Sequence, residues 1–119
     1  MSLFEPEGVN YIPVVDIGAA TNWYIEKLGL RKVNVEMDNG ENCVALGFEK
    51  DQYAFCLGPT GQQTEELTPM LRCSKLKKAR EFLISRGVNV SEIQQDRQGT
   101  HYLEMHDLEG NVIEIDEGV

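Results

Sequence analysis

The chain has 119 residues, the length of one domain and enough to bury a core. Twenty acidic residues against eleven basic ones give a formal net charge of −9. That field repels polyanions and argues against nucleic acid or an anionic membrane surface as a partner. No stretch reaches the ~18 apolar residues of a membrane span and no leader pattern opens the chain, so a cytoplasmic location is expected.

In chain order, residues 8–15 read as a strand, and Pro13 inside it points to an edge or a bulge. Asp16 is placed to cap a helix over 19–28, with Ala20, Trp23, Tyr24 and Leu28 on one face and Gly29 as its stop. Alternation from Leu30 to about Met37 reads as a strand ending in the hairpin turn Asp38, Asn39, Gly40. Two more strands are expected at 43–48 and 52–57. Residues 58–67 are polar, with glycine and proline, and read as a surface linker. The pattern then restarts: a strand at 68–73, Ser74 as a cap, a helix over 75–86 stopped by Gly87, and a strand at 88–93. A turn at 96–99 leads into a closing hairpin, with strands from His101 and from Val112 around Asp107, Gly110 and Asn111.

This is a repeat. Ala79 follows Ala20, Phe82 follows Trp23, Gly99 follows Gly40 and Cys73 follows Val14, each by 59 positions, while Gly87 follows Gly29 by 58. The expected fold is α+β: one domain, 1–119, of two βαβββ modules related by a pseudo-twofold. The first spans 8–57 and the second 68–117, joined by the linker 58–67. Curved mixed sheets enclose a cleft and the helices lie outside. The three cysteines, Cys43, Cys56 and Cys73, lie in apolar runs without a CxxC pair, which favours buried free thiols over a disulfide or zinc site.

Two motifs are similar to those of the vicinal oxygen chelate superfamily, which includes glyoxalases, bleomycin resistance proteins and extradiol dioxygenases. One is Asp-x-x-Gly-Asn-x-x-Glu from Asp107 to Glu114. The other is Trp-Tyr-x-x-x-Leu-Gly-Leu from Trp23 to Leu30. The resemblance covers nearly the whole chain. It implies paired βαβββ modules, commonly in a homodimer, with a metal or ligand cleft between modules, and it does not imply one reaction. It also implies metal-ligand positions on the first and last strands of each module. The last-strand carboxylate corresponds to Glu114, and the 59-residue offset makes Phe55 its counterpart. The first-strand positions fall at Val9 and Thr68. Valine and phenylalanine cannot ligate and threonine ligates poorly, so no resident metal or other cofactor is expected.

Strand parity supplies the rest of the candidate site. Glu114 alternates with Ile113 and Ile115, so it faces away from the helix-covered side. In a regular hairpin Glu104 lies across from Glu114 and His106 across from Val112. Tyr102, Glu104, His106, Glu114 and Asp116 then share the cleft face, with Met70 and Arg72 from the module's first strand. Tyr11 and Phe55 are the first module's contribution to an aromatic wall. The candidate ligand-binding residues are therefore Tyr11, Phe55, Met70, Arg72, Tyr102, Glu104, His106 and Glu114. The expected function is small-molecule binding without metal in an acidic, partly aromatic cleft. The alternative is a metal-dependent lyase, isomerase or dioxygenase using Glu114, Glu104 and His106 as a non-standard ligand set.

Overall fold

The computed structural model describes residues 4–6, 10–33, 43–48, 54–59 and 68–118. In chain order the elements are β1 (Glu5–Pro6), β2 (Asn10–Val14), α1 (Ile17–Leu28), β3 (Arg31–Lys32), β4 (Val44–Gly47), β5 (Phe55–Pro59), β6 (Met70–Arg72), α2 (Leu76–Ser85), β7 (Asn89–Val90), β8 (Gln94–Gln95), β9 (His101–His106) and β10 (Val112–Asp116). The hairpin expected at Asp38, Asn39 and Gly40 lies outside the described residues, as does Val9. Most of the expected linker does too, but its first two residues, Gly58 and Pro59, belong to β5.

Two mixed sheets form, an α+β arrangement. The first runs β2-β5-β4-β3, and the second runs β1-β6-β10-β9-β7 with β8 also on β9. Within each, the strand before the helix pairs in parallel with the last strand, which pairs antiparallel with the one before it. Pro13 is tolerated because β2 is an edge strand, where a missing N–H breaks no ladder. Two short strands carry no clear sequence signal. β1 joins the second sheet beside Arg72, and the residue before it, Phe4, is buried between Phe48 and Phe82 at ring separations of 6.2 and 6.0 Å. β8 occupies two exposed glutamines.

The helices form for local reasons. Asp16 accepts from the Ala19 N–H through Oδ1 at 3.0 Å, capping α1, and Gly29 ends it at a φ of 74°. Ala20, Tyr24 and Leu28, four apart, form the buried stripe. α2 differs from expectation at its start. Lys75, not Ser74, takes the cap position, with no side-chain cap bond. Its buried stripe is Leu76, Ala79 and Leu83.

One hydrophobic core runs through both halves. It joins Ile12, Leu46, Phe55 and Leu57 to Leu71, Leu103, Met105, Ile113 and Ile115. Polar stitches cross between the halves at three places. The Asn10 side chain donates to the Met70 carbonyl and accepts from its N–H, at 3.0 and 3.2 Å. The helix ends exchange bonds: Lys27 Nζ donates to the Arg86 carbonyl, and Arg86 donates to the Glu26 carbonyl. The third stitch is the closing hairpin's turn. Asp107 takes the Tyr24 hydroxyl at 2.7 Å, Glu109 accepts the N–H groups of Val15 and Asp16, and Asn111 donates to the Pro13 carbonyl. No helix among the described residues is long and apolar enough to cross a membrane.

Candidate functional site

The β9–β10 hairpin is regular. Gly110 takes the turn at a φ of 86°, and the register sets Glu114 opposite Glu104, Val112 opposite His106 and Asp116 opposite Tyr102. β6 adds Met70 beside Glu114 and Arg72 beside Asp116. Cα partners share a face of a sheet, so Met70, Glu114 and Glu104 form one row and Arg72, Asp116 and Tyr102 the next. Ile113, Ile115, Leu103 and Met105 point the other way and are fully buried. Met70, Arg72, Tyr102, Glu104, His106 and Glu114 are all half-buried, and Asp116 is buried.

Local contacts hold this face in shape. Tyr102 donates to Gln94 Oε1 at 3.4 Å, and the Ser91 hydroxyl accepts the Glu104 N–H at 2.9 Å. Asp116 accepts the Gly118 N–H. Gly118 sits at a φ of 82°, close enough that an added Cβ would be 2.9 Å from Arg72 Nε. His106 Nδ1 is buried and has no hydrogen-bond partner among the described residues.

The first sheet corrects one expectation. Phe55 is not on a cleft wall. It pairs with Asn10 and Leu46 and is completely buried, with its ring 5.6 Å from that of Tyr24 on α1. The residue facing away from α1 is its neighbour Cys56, which pairs with Tyr11 and with Ala45. By strand pairing, the row Tyr11–Cys56–Ala45 corresponds to Met70–Glu114–Glu104. Tyr11 keeps its expected face. Its hydroxyl donates to the Pro59 carbonyl at 2.7 Å and lies over Gly58, where an added Cβ would come within 2.5 Å of it. Burial, then Cys43 and Cys56, push the Tyr11 phenol upward. Trp23 and Tyr24 pack edge-to-face at 5.0 Å within α1 and belong to the core side.

Among the described residues the donor set for a divalent metal is incomplete. Glu114 and Glu104 face each other, but no three His, Cys, Asp or Glu side chains among the described residues converge closely enough to hold an ion. Thr68 is exposed on the approach to β6.

His101 alternates with Tyr102 and takes no part in the face. Its backbone N–H and Nδ1 both bond Glu117 Oε1 at 2.9 Å. Those bonds, the backbone one foremost, hold the Glu117 carboxyl below its ordinary value. A cavity of about 360 Å³ opens beside this pair, lined also by Leu76, Ile93 and lysines at the start of α2. It is remote in parity from the Glu114 row.

These sheets and their pairing define the fold of the glyoxalase/bleomycin resistance/dioxygenase proteins, and the solved structures agree. A member of that superfamily from Sphaerobacter thermophilus DSM 20745 superimposes with a TM-score of 0.71 at 21% identity, covering 92% of this chain and 94% of the other. TnmS3, an antibiotic binding protein from Streptomyces sp. CB03234, gives 0.68 at 17%, covering 93% of each chain. A glyoxalase-related enzyme from Clostridium phytofermentans gives 0.72 at 14%, covering 95% of each. No family model matches the sequence, and no curated protein matches it.

Proposed function

We propose that the chain is a small-molecule binding protein whose site is the half-buried face of the second sheet. Met70 and Tyr102 supply apolar and aromatic surface. Glu104, Glu114 and His106 supply the polar groups that orient a ligand, and Arg72 lies at one end. The observation that carries this reading is the register that opposes Glu104 and Glu114 on one half-buried face. Two acidic side chains on neighbouring strands of one face favour a cationic ligand over an anionic one. Planar cationic compounds are therefore the favoured class, and anionic glutathione adducts are disfavoured. The TnmS3 likeness supports a binding role on this fold without naming the ligand.

The test is a thermal-shift and calorimetric screen of planar aromatic cations against glutathione conjugates, repeated with Glu114→Gln. The cations should give the larger shifts. The variant should bind them roughly tenfold more weakly, the equivalent of about 1.4 kcal/mol, with little change in its own melting temperature. Larger shifts from the conjugates would contradict this reading. A gain in stability on adding a transition metal, lost in Glu114→Gln, would replace it with the metal-dependent one.

The same reading includes a homodimer, because the described residues of one chain leave this sheet face half-buried and a second copy related by a twofold would complete a cleft over it. Sedimentation at micromolar concentration should give twice the 13.4 kDa chain mass. A single species at the chain mass would refute the dimer.

A further inference from the structure

The first sheet carries a feature that ligand binding on the second sheet does not use. Cys43 immediately precedes β4, and Cys56 lies in β5. The register pairs Val44 with Leu57 and Ala45 with Cys56, so its next step sets Cys43 opposite Gly58, diagonal to Cys56 and on the same face. Gly58 leaves the space that Cys43 fills, since a Cβ there would stand 2.8 Å from Cys43 Sγ. The two side chains are close enough across the strands that Cys43 adds to the burial that pushes the Cys56 thiol up. Their exposures differ: Cys56 is buried and Cys43 half-buried. Cys73 is a separate case. It is buried just before the start of α2.

We propose that Cys43 and Cys56 are a reversible oxidation site, closing to an intramolecular disulfide when the chain meets a hydroperoxide. The more exposed Cys43 reacts first. As thiolate, its sulfur attacks the peroxide oxygen; the O–O bond breaks, and the departing oxygen takes up a proton and leaves as water (or alcohol). Cys43 is then a sulfenic acid. Cys56 is the resolving thiol. Its sulfur attacks the Cys43 sulfur, the S–O bond breaks, and the hydroxyl leaves as water with the Cys56 proton. Two thiols lose two electrons, the peroxide gains them, and a dithiol reductant reverses the change. The closed bridge ties β4 to β5 on the face that carries Tyr11.

The experiment treats the fully reduced chain with hydrogen peroxide, alkylates the remaining thiols, and maps the peptides by mass spectrometry. The expected result is one alkylated cysteine, Cys73, and a peptide pair linking Cys43 to Cys56, with the mass lower by two hydrogens and restored by dithiothreitol. The oxidised chain should melt several degrees higher than the reduced chain. In Cys56→Ser a sulfenic-acid trap should label Cys43. In Cys43→Ser no internal link should form. Linkage through Cys73, linkage only between chains, or free Cys43 and Cys56 after peroxide consumption would each overturn the proposal. The wild-type map decides the matter even if a variant folds poorly.

Discussion

Asp107→Ala is expected to destabilise the fold by roughly 3 kcal/mol or more, lowering the melting temperature by ~10–20 °C. Asp107 is only 7% exposed, and its two carboxylate oxygens take four donors. Oδ1 accepts the N–H groups of Glu109 and Asn111, at 2.9 and 2.8 Å. Oδ2 accepts the Tyr24 hydroxyl at 2.7 Å and Asn111 Nδ2 at 2.9 Å. Hydrogen bonds to a charged acceptor contribute about 1.5–3 kcal/mol each when made singly, and those sharing one carboxylate do not add fully. Alanine leaves the Tyr24 hydroxyl, which belongs to a completely buried side chain, without its acceptor. It also loosens the turn whose Asn111 and Glu109 hold β2 and the start of α1. Tyr24→Phe removes one donor of the four and should cost about half as much or less. Thermal melts of both variants at neutral pH check the order. An alanine variant melting within about 2 °C of the wild type would show that the turn does not tie the halves together.

That role of the turn was only half legible in the sequence. Asp107, Gly110 and Asn111 spell a turn locally, and the alternation around them fixed the face and register of Glu104, His106 and Glu114. Nothing local pairs Tyr24 with Asp107, because that bond joins residues 83 positions apart. Phe55 shows a different limit. Eleven positions separate Ala45 from its strand partner Cys56, but ten separate Glu104 from Glu114. A single extra residue between β4 and β5 breaks the 59-residue offset at the last strand. In a strand, one residue of slip moves every side chain to the other face. The aromatic residue therefore went to the core side and the cysteine to the face away from α1. The 58-residue spacing of Gly29 and Gly87 was the hint that the repeat does not keep a constant period. β1 and β8 have no sequence signature because two-residue strands have no alternation to read.

Stability should fall steeply above pH 9, and two side chains should account for much of it. Burial foremost, with the neighbouring Cys43, pushes the Cys56 thiol from 9.0 up to about 12. Burial, followed by the charge and hydrogen bond of Asp107, pushes the Tyr24 phenol far above its ordinary 10.0. In both, the folded chain holds its proton after the unfolded chain has released it. The sign follows from linkage: each contribution is complete below the unfolded value and is lost as pH rises toward the folded one. For Cys56 the loss runs from pH 9 to about 12, and for Tyr24 it begins near pH 10. Each group costs at most ~1.4 kcal/mol per pH unit within its window. The slope should therefore correspond to one to two protons above pH 9, because burial raises the Cys73 thiol as well, and steepen past pH 10, where the raised Tyr11 phenol adds to it. Urea melts at half-unit steps from pH 8 to 11, under reductant, measure it directly. Cys56→Ala should be less stable than the wild type at pH 8, with the gap narrowing as pH rises. Tyr24→Phe should converge on the wild type only above pH 10. Curves for Cys56→Ala that stay parallel to the wild type from pH 9 to 11 would mean that this thiol ionises as readily in the folded chain as in the unfolded one.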